Sequence, residues 1–140
     1  MSHLDIYIDG ASIGNPGDAG IGIVFVQEDQ ALRNISRYIG KQTNNIAEYT
    51  ALVFALQEAL ITKVKSVRIF TDSELLYRQL TGRYKVKSDT IKNLFAQAIN
   101  LSKGFEEFSI LQIPREQNRG ADKLAKLAAK KKEKPKINPK

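Results

Sequence analysis

Four acidic residues, Asp9, Glu48, Asp72 and Asp122, are spaced so that a chain alternating strands and helices can bring them to one place. Asp9 closes the run LDIYID, in which Leu4, Ile6 and Ile8 occupy one face of a strand and Asp5, Tyr7 and Asp9 the other. A glycine-rich stretch from Gly10 to Gly17 follows, freeing the backbone to turn sharply and to approach a ligand closely. Asp72 stands in the same relation to the short run SVRIFT, while Glu48 and Asp122 fall in the first turns of helices. Crowded carboxylates repel one another unless a cation sits among them. Oxygen ligands with neither His nor Cys beside them suit a hard divalent ion, Mg²⁺ or Mn²⁺. Taken singly, each residue has a plainer role. Asp9 is a turn residue before Gly10, Asp72 an N-cap beside Ser73, and Asp122 an acid favoured by a helix dipole. Their convergence carries the chemical reading.

Composition narrows that chemistry. The 140 residues suit one domain with a single core. The absence of cysteine excludes disulfides and thiolate metal sites. The one histidine, His3, falls in a frayed N-terminus, leaving no Ser-His-Asp constellation and no histidine zinc site. Catalysis is left to carboxylates, hydroxyls, Lys or Arg. No apolar run reaches membrane-spanning length and no signal-peptide pattern opens the chain, so the sequence reads as cytoplasmic, with no membrane partner. The formal charge of +7 is unevenly spread. Residues 130–140 hold six Lys and one Glu, or +5, leaving 16 basic and 14 acidic residues, or +2, to residues 1–129. That division reads as a folded body followed by a disordered basic tail, which either solubilises the chain or tethers it to phosphate backbone.

The elements that must position the acids follow from periodicity. Strands are expected from Leu4, from about Gly20 to Val26 and from Leu32 to Ile39, with QEDQ at 27–30 as a hairpin connection. Thr43 is a good N-cap for a helix from Asn44 to about Ile61, on which Ile46, Tyr49, Val53, Leu56 and Leu60 recur at helical spacing. Ser66 to Thr71 reads as the fourth strand, Glu74 to Leu80 as a short helix, and Ser88 to about Ser102 as a third helix stopped by Gly104. Phe105 to Ile113 is the fifth strand, closed by Pro114, and the last helix runs from about Ala121 to Ala129. This order predicts an α/β fold: a five-stranded mixed sheet, an antiparallel meander plus parallel strands, flanked by helices. Strands one, four and five are parallel because their connecting helices make right-handed crossovers. Sites in such sheets form beyond the carboxyl ends of parallel strands, where Asp9 and Asp72 are expected.

Four segments in this order, IYIDGASIGNPGDAGIG, TNNIAEYTAL, IFTDSELLYRQL and REQNRGADKLAKLA, resemble type 1 ribonuclease H over nearly the whole body. The resemblance implies a ribonuclease H-like catalytic domain at residues 1–129, with Asp9, Glu48, Asp72 and Asp122 as its metal-binding catalytic carboxylates. It implies hydrolysis of the RNA strand of an RNA–DNA hybrid, leaving 3′-hydroxyl and 5′-phosphate ends, and a monomer is expected because one such domain can bind a hybrid. Two metal ions activate a water and stabilise the leaving oxygen in that scheme, with Asp9 bridging both. Glu48 senses a ribose 2′-hydroxyl from the minor groove. Ser12, Gly14, Asn15, Asn44 and Asn45 resemble the family's hybrid contacts, and Thr43 its pocket for a DNA phosphate.

Two departures modify that expectation. Longer relatives insert a basic helix and loop after the third helix, whereas this chain passes through Arg83, Lys85 and Lys87 directly to the next helix, and no separate hybrid-binding domain precedes Asp9. The resemblance is to the compact form, with Lys85, Lys87 and the C-terminal lysines as substitutes. Many relatives also carry a histidine in the loop before the last carboxylate; here Arg115 or Glu116 takes part of that role. Two other readings stay open. One is a nuclease of related fold acting on other duplexes, and the other a catalytically silent nucleic-acid-binding module.

Overall fold

The computed structural model describes residues 2–132. Its elements are β1 (His3–Ile13), β2 (Gly17–Gln27), β3 (Gln30–Gln42), α1 (Asn44–Thr62), β4 (Ser66–Thr71), α2 (Glu74–Leu80), α3 (Asp89–Ser102), β5 (Glu107–Gln112) and α4 (Arg119–Lys131). The strands form one sheet in the order β3-β2-β1-β4-β5, antiparallel through β1–β3 and parallel through β1, β4 and β5. This is the mixed sheet that the alternation predicts. Glu28 and Asp29 take positive φ in the tight turn between β2 and β3, matching the twist of a two-residue hairpin.

β1 is longer than its polar alternation suggests. Ala11 and Ser12 pair with Gly20 and Ala19, so small residues carry the ladder on to Ile13↔Asp18. The turn shrinks to Gly14, Asn15 and Pro16, with Gly14 at φ 83. Asp9 therefore lies within β1 rather than at its end. The parallel ladder with β4, however, stops at Tyr7↔Phe70. Asp9 sits two residues past that fork, on a strand held only by β2 on its other side. The expected opening beyond the parallel strands is there, created by the divergence of β4.

The N-terminal end of β1 also differs from expectation. His3 is not frayed: it opens β1, its Nδ1 2.7 Å from the Ser66 hydroxyl and its Nε2 2.7 Å from Asp5. A Ser-His-Asp row thus does exist, at the opposite end of the parallel strands from Asp9. Arg68 occupies both Asp5 oxygens at 3.0 Å, so the row ties β1 to β4. Burial raises the Asp5 carboxyl, but the hydrogen bonds from Arg68 and His3 outweigh it and hold the group low.

Two helices clasp the sheet from opposite faces. α1 is buried along most of its length, with Tyr49, Leu52 and Leu56 inaccessible between the sheet and α3. α4 lays an alanine stripe, Ala121, Ala125, Ala128 and Ala129, across β1 and β2. Glycines set both approach distances. A methyl group at Gly10 would lie 2.6 Å from the Ala47 carbonyl oxygen of α1, and one at Gly22 would lie 2.6 Å from the Ala125 nitrogen of α4. Gly20 faces the same alanine stripe. Successive residues of β1 point to opposite faces, so Gly10 looks toward α1 while Asp9, opposite Gly22, looks toward α4.

Three boundaries move for physical reasons. Gly104 does not cap α3 in a left-handed conformation; it follows the C-cap Lys103 and lets Leu60 approach, since a methyl there would sit 2.7 Å from Leu60 Cδ2. Residues Glu107–Gln112 pair with β4, so β5 is shorter than the Phe105 to Ile113 alternation, and Phe105 is buried instead. α4 continues through Lys131 to a C-cap at Lys132, and Lys132 pairs with Asp18 at 3.1 Å. Residues 130–132 of the expected tail are thus part of the folded body, and 133–140 lie outside the described residues.

Replacing Gly22 by Ala forces α4 away from β2. We expect Gly22→Ala to lower unfolding stability by about 1–3 kcal/mol in urea denaturation, the usual scale for overpacking. An unchanged midpoint would show that α4 does not seat on this glycine.

Candidate active site

One backbone amide joins the first two acids. The Gly10 N–H, set where α1 touches β1, donates to Asp9 Oδ1 at 2.9 Å and to Glu48 Oε1 at 2.5 Å. Glu48 reaches it because Gly10 has no side chain to hold α1 off. Asp72 arrives from the end of β4. Ser73 is the N-cap of α2, accepting from the Leu76 N–H at 3.1 Å, so Asp72 is not consumed as a cap. Carboxylate oxygens of Asp9, Glu48 and Asp72 lie within 4.8 Å of one another. With Asp122, Ser12 and Asn44 they line a cavity of about 430 Å³.

Asp122 adjoins this trio without joining it. It stands in the first turn of α4, 3.2 Å from Lys126 Nζ and 3.9 Å from the Arg115 guanidinium. Burial raises the Asp122 carboxyl, but hydrogen bonding with Asp9 and the Lys126 ammonium overcome it and hold the group below the usual range. Asp9 goes the other way. It is only 6 % exposed, and burial, then the charges of Asp72 and Asp122, push it up from 3.8 to about 7 despite a hydrogen bond with Glu48. Burial and the Asp9 charge also raise Glu48 well above its ordinary value. These are acids short of a cation.

Asn118 is the residue that the sequence reading missed. Its side chain is 1 % exposed and donates to the Ile8 carbonyl at 2.9 Å and to Asp72 Oδ2 at 3.1 Å. Its own carbonyl accepts from the Asp122 N–H at 3.1 Å as α4 begins. One buried amide thereby ties β1, Asp72 and the helix of Asp122 together. The only signal in the sequence is an Asn ahead of a helix, and α4 does start there, two residues before the expected Ala121. The Asn118 Oδ1 has no protein partner, an unsatisfied buried acceptor beside the acids.

The other expected residues divide. Ser12 N–H donates to Asn44 Oδ1 at 2.9 Å, and Asn44 N–H to Asn15 Oδ1 at 3.0 Å, lacing the turn at Gly14 to the start of α1. The Ser12 hydroxyl adds a bond to the Gln42 carbonyl at 2.9 Å. Thr43 caps α1 through the Ile46 N–H at 3.2 Å. Asn45 faces away, into a separate groove with Arg83 and Lys85. Arg115 and Glu116 lie in a 3-10 turn and, with Arg119 and Asp122, enclose about 240 Å³ beside the acids. The donor set fits a hard cation: all-oxygen, clustered, with Asp9 and Glu48 raised by burial and neighbouring charge, and with no histidine or thiol.

Comparison with known proteins identifies the family. A family model described as reverse transcriptase-like matches residues 7–128. The structure of RNase H1 from the halophilic archaeon Halobacterium salinarum superposes with a TM-score of 0.89 and 37% identity, over 92% of this chain and 98% of that one. The chain belongs to the type 1 ribonuclease H family. LC11-RNase H1 in complex with an RNA/DNA hybrid is a second family neighbour, with TM-score 0.86 and 41% identity over 92% of this chain and 98% of that one. A bifunctional protein of Mycobacterium tuberculosis is 38% identical over 122 residues, 86% of this chain, and the chain spans only 34% of that relative's length. Within the family, this chain joins α2 to α3 through residues 81–88 alone, without an inserted helix.

Two tests follow from the electrostatics. With Asp9 at about 7 when folded against 3.8 ordinarily, the metal-free protein holds a proton between those values that the unfolded chain has lost. The stability this proton confers is present near pH 4 and lost as pH rises through 7. Asp9→Asn should therefore raise the melting temperature in chelator at pH 8 by several degrees, on the order of 1 kcal/mol or more, with the gain fading toward pH 4. A lower melting temperature than the parent at pH 8 contradicts it. Asn118→Ala strands the Ile8 carbonyl and Asp72, and a loss of about 1–3 kcal/mol in chemical denaturation is expected.

Proposed function

We propose that this chain is an endonuclease that hydrolyses the RNA strand of RNA–DNA hybrids, acting as a cytoplasmic monomer and leaving 3′-hydroxyl and 5′-phosphate ends. The observation that carries the proposal is the grouping of Asp9, Glu48 and Asp72 within 4.8 Å, beside Asp122, in a chain of this family. One chain supplies all four carboxylates, so no second copy is needed to complete the site. Among the described residues, no helix is long and apolar enough to cross a membrane.

Asp9, Glu48, Asp72 and Asp122 would hold two Mg²⁺ ions, or Mn²⁺. Two such ions supply an activated water on one side of the scissile phosphate and charge neutralisation of the leaving 3′ oxygen on the other. The chain's own residues do the rest. Asp9, only 6 % exposed and set among the other acids, would be the ligand shared by both ions. The Gly10 N–H keeps Glu48 turned toward the cleft, where it also meets a ribose 2′-hydroxyl, the group that distinguishes RNA. Asn118 holds Asp72. Ser12, Gly14, Asn15, Asn44 and Asn45 bind the hybrid, with Thr43 at a phosphate of the DNA strand. Arg115 or Glu116, beside Asp122, helps the product leave.

The deciding experiment is cleavage of a labelled RNA–DNA hybrid in Mg²⁺, Mn²⁺ and chelator by the parent and Asp9→Asn, with duplex DNA, duplex RNA and single-stranded RNA as controls. Cutting confined to the RNA of the hybrid, abolished by chelator and reduced at least about 100-fold in the variant, is expected for loss of a metal ligand. Retained hybrid binding without any cleavage would establish the silent binding module instead.

A further inference from the structure

The first turn of α1 serves two cavities. Asn44 lines the carboxylate cavity, while its neighbour Asn45 lines a second of about 610 Å³. The far wall of this groove is the strap 81–88 between α2 and α3, which has neither helix nor strand. Arg83, Lys85 and Lys87 are exposed on it, no acidic residue among the described residues lines the groove, and the Arg78 guanidinium lies 5.4 Å from the Tyr84 ring centroid. Three cations in five residues, without a counter-charge in the groove, suit a phosphate backbone.

A strap without regular structure presents its charges in a fixed place only if something holds its backbone. The N–H groups of Arg83 and Tyr84 both donate to the Arg78 carbonyl, at 2.8 and 3.1 Å, and Val86 packs against the core. Between these anchors the Gln79 side-chain amide donates to the Lys85 carbonyl at 3.3 Å. Gln79 is 6 % exposed, and its Oε1 accepts from the hydroxyl of the inaccessible Tyr49 at 2.7 Å. A buried amide and phenol cost stability unless each finds partners. Here the pair is completed by a carbonyl of the strap, so core and strap are linked by one hydrogen-bonded chain, Tyr49 to Gln79 to Lys85.

We propose that Tyr49 and Gln79 are positioning residues. Their buried pair holds the strap by its Lys85 carbonyl so that Arg83, Lys85 and Lys87 meet the phosphates of the strand that is not cut. This rests on the hybrid reading above. Asn44 and Asn45, side by side in one turn, then divide the two strands between the acidic cavity and the basic groove.

The test is steady-state hydrolysis of a hybrid by the parent, Gln79→Leu, Tyr49→Phe, the pair Lys85→Ala with Lys87→Ala, and Gln79→Leu combined with that pair. Gln79→Leu should raise KM about three- to tenfold, with kcat within about twofold of the parent. Tyr49→Phe, which removes only the hydroxyl, should raise KM less. The lysine pair should raise KM similarly and flatten the slope of log KM against log salt by about one to two. Because Gln79 acts through the strap, the combined variant should be no worse than the lysine pair alone. Multiplied effects in the combined variant, or an unchanged KM in folded Gln79→Leu, overturn the proposal. If Gln79→Leu does not fold, an unchanged KM in Tyr49→Phe overturns it. A parent that cuts no hybrid overturns the underlying reading instead.

Discussion

Mutual repulsion among carboxylates is the constraint on which this structure turns. Asp9, Glu48 and Asp72 bring oxygens within 4.8 Å in a largely enclosed site, and in the metal-free protein they can coexist only if some are protonated or compensated. The compensation is sparse. One N–H, that of Gly10, serves both Asp9 and Glu48; one amide, that of Asn118, serves Asp72; and the Lys126 ammonium is spent on Asp122. The cluster is therefore strained toward a cation, and the stability that keeps it assembled must come from elsewhere.

It comes from the two helices and the glycines beneath them. Glu48 and Asp122 approach Asp9 from opposite faces of the sheet, which is possible only where β4 has left β1 and the space between the faces is open. Each helix bears its acid directly after a close contact: Ala47 of α1 over Gly10 precedes Glu48, and Ala121 of α4 over Gly22 precedes Asp122. Burial of Leu52, Leu56 and the alanine stripe drives those contacts, since apolar area removed from water is worth roughly 25 cal/mol per Å². The missing methyls at Gly10 and Gly22 turn that nonspecific drive into a particular helix height. Packing thereby sets the distance between like charges.

Much of this was legible in the sequence, because it is written in local period and local chemistry. The antiparallel meander, the parallel relation of strands one, four and five, and the helices at Asn44, Glu74 and Asp89 follow from alternation, caps and crossovers, and the four acids line one cavity. What was not legible depends on partners far along the chain. Asn118 binds Ile8 and Asp72 across 110 and 46 residues, and its neighbours in sequence carry no trace of either. Asp72 and Ser73 are equally good caps by type, and only the fold shows that Ser73 takes the role and frees Asp72. His3 is held by Ser66, a residue 63 positions away, so nothing near the terminus shows that it is ordered. Gly104 has the composition of a helix stop, yet what requires it is Leu60 of another helix.

The same long-range logic bears on how the folded body would meet a polyanion such as the proposed hybrid. Lys130 to Lys132 raise the +2 of residues 1–129 to +5 for the folded body, yet the cavity lined by the four carboxylates is itself acidic, so net charge alone does not say where a polyanion would sit. The positions of the charges do. The basic groove begins at Asn45, one residue from the acidic cavity at Asn44, and among the described residues no carboxylate lines it. A duplex presents two phosphate tracks at a set separation. For the proposed activity, a site whose acids would hold metal ions on one side, with Arg83, Lys85 and Lys87 facing a basic groove on the other, would meet two unlike requirements from one short turn of helix. That arrangement asks for a fixed spacing between cavity and strap, and the rigid parts that span it are α1 and the buried pair Tyr49 and Gln79. Polar groups have been admitted to the core at the place where an unstructured strap has to be held still.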